Sequence, residues 1–333
     1  MASKKMVILG TSFSGSGAVF DCLCRRADSA NPLGGKEFVL PQMPNGLMTL
    51  HALFEDYFHF TSFDAALKKC YRQALQLGGR SGPLKVGLDY RRVVPNYEEY
   101  VKKYSSSIGS VAYRAALSSD VIGERPLDRI PRLLKSALIE AIGRPGLPSM
   151  KYLPSAQECF CAATKDLAES IIPSNSKDFV VVNQGGSGWS PHLVECYYEN
   201  VTTVVVTRSP LDQYAELKKY KKFSGVRGLC DWYTSLQRHL ENKISRSASV
   251  HTIRFEDFVL GFEESRERLC AVCGISPDVV SLYNPRESQK NINIYAAALS
   301  GEEVACIKNA IPGFGVEGYE GFSWESSMLR LGT

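Results

Sequence analysis

The feature that most limits how this chain can fold is a turn rich in glycine and serine near its start. Gly10-Thr11-Ser12-Phe13-Ser14-Gly15-Ser16-Gly17 follows the apolar run KMVILG (5–10) and precedes AVFDCLCRR (18–26). The run reads as a short buried strand, and the second segment as a helix with one apolar face. In a strand–turn–helix of this kind, successive backbone N–H groups converge on one point and the helix dipole adds positive potential there. Glycine permits close approach and left-handed backbone. Ser12, Ser14 and Ser16 can add hydroxyl donors. The turn is suited to an anion.

The later chain repeats the strand–helix alternation. DFVVVN (178–183), TTVVVT (202–207) and VHTIRF (250–255) read as buried strands, with helices over 211–222 and 263–273. Alternation of this kind predicts an α/β fold with a parallel central sheet flanked by helices. Residues 31–45, rich in Pro and Gly, read as a loop. Residues of about 47–170 are mostly helical in pattern, with breaks at Gly78–Pro83, near Pro95 and at Gly143–Pro148. No long linker separates them, so one domain over 1–333 is expected, with 47–170 as a helical insertion or lid.

The turn admits three readings. A Walker A loop needs Gly-Lys-Ser/Thr after its four-residue gap. Gly10 and Gly15 have the spacing, but Ser16-Gly17 follows and the lysine is missing. A dinucleotide fingerprint fits Gly15 and Gly17, but Phe20 stands in the third glycine's place; Glu37 keeps an NAD(P)-dependent oxidoreductase open. A plain turn without ligand is the third.

Charge narrows the class further. Lys and Arg number 39 against 35 Asp and Glu, a formal +4. That suits a phosphorylated small molecule and is too weak to argue for nucleic acid. The ten cysteines are scattered through a long chain, unlike a secreted disulfide framework, and read as reduced thiols. Cys270 and Cys273 form one CxxC with no second pair at zinc spacing. The apolar run at Met6–Leu9 is far too short for a signal core, and no stretch reaches a membrane span. The expectation is a soluble, cytoplasmic protein; a homodimer stays open.

Four segments, SFSGSGAVFDCL (12–23), VVVTRSPLDQYAEL (204–217), IRFEDFV (253–259) and ESQKNINIYAAALSGEEVACI (287–307), occur in that order. They resemble the phosphosulfate loop, the Arg-x-Pro signature, the Phe-Glu-Asp strand and the late nucleotide-closing segment of PAPS-dependent sulfotransferases. PAPS is 3′-phosphoadenosine 5′-phosphosulfate. The resemblance implies a P-loop-like fold and PAPS as cofactor, leaving as adenosine 3′,5′-bisphosphate, with no metal required. It implies that Ser12, Phe13, Ser14, Gly15, Ser16, Gly17 and Ala18 hold the 5′ end. Arg208 and Ser209, with Arg286, Ser288, Lys290 and Asn291, would hold the 3′-phosphate. Two positions depart from the family: Phe13 stands where a Lys or Arg is usual, and Glu216 where a Ser is usual. Ser209 or Lys218 can substitute for the latter, and an altered, non-catalytic nucleotide-binding protein remains an alternative.

Sulfuryl transfer needs a base, orientation and charge stabilisation. Glu37, in a Gly-Gly-Lys-Glu-Phe loop after the first helix, is the favoured base, as in family members with a catalytic Glu in a similar loop. His51, in LMTLHALF, is the second candidate, although a histidine packed on an apolar helix face explains it at least as well; His59, in YFHF, is weaker still. Lys36 can supply the charge that Phe13 lacks. Arg208, at the end of a buried strand, has a donor fork suited to phosphate, or to a salt bridge with Asp212. The second glycine-rich loop, Gln184–Ser190, can line the cofactor site at the strand carboxyl ends. In the insertion, Tyr57, Phe58, Phe60, Tyr90, Tyr97, Tyr100 and Tyr104, with Glu55, Asp56, Asp64 and Asp89, can form a pocket or simply pack. The expected acceptor is a small molecule such as a natural product or sugar, with no nucleic-acid or membrane partner.

Overall fold

The computed structural model describes residues 3–55, 59–82, 87–109, 111–115, 130, 134, 149–153, 157–173, 177–220, 225–244 and 249–311. In chain order these form β1 (Lys4–Gly10), α1 (Ser16–Cys24), β2 (Ser29–Ala30), α2 (Leu47–Glu55), α3 (Phe60–Gly78), α4 (Tyr90–Val93) and α5 (Tyr97–Ile108). There follow β3 (Val111–Ala115), β4 (Ser149–Leu153), α6 (Gln157–Ile171), β5 (Phe179–Asn183), β6 (Val201–Thr207), α7 (Pro210–Lys219) and α8 (Val226–Ile244). The last are β7 (Val250–Arg254), α9 (Phe255–Leu260), α10 (Phe262–Cys273), α11 (Pro285–Gln289), α12 (Tyr295–Ala298) and α13 (Gly301–Ala310). Two compact units result: unit 1 takes Met1–Gln42, Arg92–Pro95 and Ala168–Thr333, and unit 2 takes Met43–Arg91 and Asn96–Leu167.

Unit 1 is α/β. Its five-stranded sheet is parallel throughout, in the order β2-β5-β1-β6-β7. β1 lies at the centre, and Met6, Val7, Ile8 and Leu9 are all fully buried. Cover on both faces is why its sequence is continuously apolar rather than alternating. One core gathers Met6, Ile8, Phe20, Val181, Val204, Phe258 and Leu269. A second gathers Leu211, Tyr214 and Leu217 of α7, Leu229 and Tyr233 of α8, and Ile307 of α13. Because the strands are parallel, Gly10, Asn183 and Thr207 end at one edge of the sheet, and the loops that follow them meet there.

Several sequence expectations need adjustment. The third long strand stops at Arg254, and Phe255 opens α9, with Glu256 and Asp257 in the first turn where the helix dipole favours acids. α1 ends at Cys24, not Arg26. Arg26 instead turns into the protein, bonding Asp28 (2.6 Å) and the carbonyls of Ser276 (2.7 Å) and Val279 (2.8 Å). α7 ends at Lys219 rather than Lys222. The Cys270–Cys273 pair is buried on α10, where burial pushes the Cys273 thiol up to about 12. Among the described residues no group of three or more His, Cys, Asp or Glu can hold a metal, and no helix is long and apolar enough to cross a membrane.

Unit 2 is not purely helical: β3 and β4 pair antiparallel within it. Its core includes Phe63, Leu67, Tyr97, Val101 and Tyr104. Buried Asp64 accepts the Tyr152 N–H at 2.9 Å and pairs with Lys68 at 2.8 Å. The expected break at 143–148 lies outside the described residues.

Candidate functional site

The loop after β1 closes on itself. The Ser14 N–H donates to the Thr11 carbonyl at 2.8 Å and the Ala18 N–H to that of Gly15 at 3.0 Å. Gly15 is left-handed at φ 83°, and a Cβ there would lie 2.3 Å from the Phe255 ring. Only glycine fits. Among the described residues no acceptor meets the N–H groups of Gly15, Ser16 and Gly17, which sit at the start of α1. Ser14 is 1% exposed, and its Oγ has no hydrogen-bond partner. A buried orphan hydroxyl is costly unless something occupies the space it faces. Donors in excess, a helix N-terminus and no acid in its first turn are chemistry that suits this cradle to an anion.

Two neighbouring side chains hold the loop in place. Gln213, 1% exposed, donates from Nε2 to the Ser12 carbonyl at 3.1 Å and to Thr11 Oγ1 at 3.5 Å. Arg208, 5% exposed, donates from Nη1 to the Phe13 carbonyl at 3.0 Å and from Nη2 to the Asn291 carbonyl at 2.5 Å. The guanidinium lies 5.2 Å over the Phe255 ring, and its Nε has no partner. Asp212 is not among its hydrogen-bond partners. That carboxylate, fully buried, accepts the N–H groups of Asn293 (2.9 Å) and Tyr295 (3.1 Å). Burial raises its pKa, and those two bonds oppose the rise. Ser209 is the N-cap of α7, and its N–H donates to fully buried Glu256 at 2.7 Å.

Phe13 takes a left-handed backbone, φ 59°, and stacks on Tyr220 at 5.1 Å with the rings 7° apart. The side chain that replaces the expected cation is thus turned to an aromatic neighbour. Phe20 packs in the core, as a bulky residue rather than a close-approach glycine. Lys218 is committed to Glu303 at 2.8 Å. In the late segment, Arg286 and Lys290 are exposed, Ser288 accepts from the Tyr283 hydroxyl at 2.7 Å, and only Asn291 reaches Arg208.

Glu37 forms an isolated parallel bridge with Asn183, the last residue of β5, and Phe38 N–H donates to the Asn183 carbonyl at 2.7 Å. This puts exposed Glu37 on the same carboxyl edge of the sheet as the cradle. Half-buried Lys36 precedes it, tied by its N–H to the Leu33 carbonyl at 3.2 Å. His51 belongs to unit 2, buried at 5% and paired with Glu55 at 2.9 Å against Phe160. His59, also in unit 2, is exposed and bonded to Thr61 at 2.8 Å. Tyr90, Tyr97 and Tyr104 are packed in cores, which makes them structural; Asp56, Tyr57 and Phe58 lie outside the described residues.

Sequence reasoning missed Gln213 and the role of Asp212. Both are polar residues on the first turn of α7, buried beside the apolar Leu211 and Tyr214. A polar pair on a buried helix face was the available signal. The loop Gln184–Ser190 does border the cradle: a Cβ on Gly188 would lie 3.2 Å from the Thr11 side chain.

No protein-family model matches the chain, and no curated protein matches it. The fold is similar to that of solved sulfotransferase domains. The domain of the Synechococcus PCC 7002 olefin synthase is 8% identical at TM-score 0.40, over 92% of this chain and 94% of that one. The sulfotransferase of Alicyclobacillus acidocaldarius is 11% identical at TM-score 0.34, over 93% and 96%. Sulfotransferase STF1 of Mycobacterium tuberculosis H37Rv is 12% identical at TM-score 0.35, over 99% and 77%.

Proposed function

We propose that the chain is a sulfotransferase that moves a sulfuryl group from PAPS to a hydroxyl or amine of a small-molecule acceptor in the cytoplasm. The observation that carries the reading is the cradle at the start of α1, where three open backbone N–H groups adjoin the buried, unpartnered Ser14 hydroxyl. That donor set fits a phosphate or sulfate oxygen cluster. The sequence resemblance at residues 12–23 and 204–217 supplies the choice of PAPS among phosphate-bearing ligands. PAPS, when bound, provides the sulfuryl group and a good leaving group.

The chain's own residues do the rest. Gly15, Ser16 and Gly17 orient the anion through backbone donors, which need no reorganisation as charge develops. Arg208 places positive charge directly behind the Phe13 carbonyl, which offsets the cation the loop lacks. Glu37 on the adjoining edge takes the acceptor's proton. Arg286, Ser288, Lys290 and Asn291 would close on the 3′ side.

Titration with adenosine 3′,5′-bisphosphate and transfer assays with labelled PAPS test this. Glu37→Gln should bind the nucleotide as wild type does and turn over about 100-fold more slowly. Unchanged turnover would remove Glu37 as the base. A second reading, nucleotide binding without transfer, is favoured by Phe13 stacked on Tyr220 and by Arg208's terminal nitrogens bonded to carbonyls. Binding without transfer to any acceptor would establish it. Stabilisation by NAD and not by the bisphosphate would favour the oxidoreductase reading instead.

A further inference from the structure

We propose that Gln184 is a positioning residue of the cradle, whose side-chain amide fixes the Ser16 hydroxyl as a donor toward the bound anion. The inference rests on the reading of the loop as an anion site. β5 ends at Asn183, and Gln184 then takes φ 53°, a left-handed backbone that a long side chain rarely adopts. Every polar group of the residue is used. Its N–H donates to the Ile8 carbonyl at 2.9 Å, and its carbonyl accepts from Gln42 Nε2 at 3.4 Å. Its Oε1 accepts the Gly10 N–H at 3.4 Å, and its Nε2 donates to Ser16 Oγ at 3.2 Å. One side chain therefore bridges the two ends of the loop.

The direction of these bonds follows from chemistry. A backbone N–H can meet only an acceptor, so the amide oxygen faces Gly10 and the amide nitrogen faces Ser16. Ser16 Oγ accepts there, which leaves its own proton to point elsewhere. The hydroxyls of Ser14 and Ser16 crowd over the Gly10 Cα: a Cβ built there would lie 2.1 Å from Ser14 Oγ and 2.8 Å from Ser16 Oγ. Two hydroxyls thus gather over Gly10 beneath the loop, and Gln184 sets one of them as a donor. Backbone strain retained at such a place is expected where a site must be held ready.

Gln184→Glu tests the direction of the bond, with sulfate and adenosine 3′,5′-bisphosphate as probes. Sulfate keeps a constant charge from about pH 8 to about pH 5, where a buried carboxylate titrates. At the higher pH the new carboxylate can only accept, so it draws the Ser16 proton away from the anion. Sulfate affinity should fall about tenfold or more below wild type, and return toward wild type as the carboxyl group protonates and donates. Gln184→Gly adopts the left-handed backbone without strain, keeps the fold and deletes the amide; its affinity should fall about tenfold at every pH. Wild-type affinity in Gln184→Gly, or a loss in Gln184→Glu that ignores pH, would overturn the assignment. A wild-type chain that binds neither probe would remove the anion-loop reading itself, and this assignment with it.

Discussion

Arg208 divides one guanidinium between two distant stretches of chain, the Phe13 carbonyl and the Asn291 carbonyl. Sequence reading picked the residue as a phosphate fork. The geometry shows that fork on two carbonyls, joining the cradle to the late segment. A lysine would keep the charge and lose the fork, so the exchange is not conservative here. Arg208→Lys should weaken adenosine 3′,5′-bisphosphate about 10- to 100-fold, read by calorimetry, since charge-assisted bonds are worth about 1.5–3 kcal/mol each. A variant with wild-type affinity would show that the fork serves neither task. Asp212 repeats the pattern one turn on, spending a buried carboxylate on the backbone of residues 293 and 295. Such side-chain-to-backbone partnerships leave no motif, because any residue can offer its carbonyl or N–H. That is why Arg208 could be picked from sequence while its partners could not.

At the scale of elements, β1, the loop and α1 were legible because three signals agreed: an unbroken apolar run, a glycine cluster and a helical apolar face. β5 and β6 were legible for the same reason, being buried on both faces. β2 was not, since two residues give no periodicity. The start of α9 was misread because Phe255 continues the apolar alternation of β7, yet its ring serves to pack on Gly15. That contact makes two glycines of one loop behave in opposite ways. Gly15→Ala must force a side chain into φ 83° and into the Phe255 ring, so it should cost about 2 kcal/mol or more. Gly17→Ala meets nothing within 4 Å and lies inside α1, so it should stabilise by about 0.5–1 kcal/mol. Urea unfolding of the two variants measures both; equal effects would refute the assigned backbone geometry.

For the whole molecule, the reduced-thiol reading yields a chemical test. Burial pushes the thiols of Cys22 and Cys230 up to about 11 and those of Cys24, Cys70 and Cys273 up to about 12. The thiolate is the reactive form. Native protein at about pH 8 should therefore leave Cys22, Cys70 and Cys273 unlabelled by an alkylating reagent, as mapped by mass spectrometry, until denaturant exposes them. Labelling of all three in the native state would contradict their packing. The placement of β1 has a further bearing, on how the protein is made. Both of its neighbours come far later in the chain: Lys4 lies opposite Phe179, and Lys5 opposite Val201. At roughly 5–20 residues per second of synthesis, the central strand waits about ten seconds or longer for either partner. Throughout that interval KMVILG is an apolar segment with no sheet to join. The ribosome delivers the middle of this sheet before its flanks, and pairings so distant in sequence predict slow refolding of the finished chain, measurable by stopped-flow fluorescence.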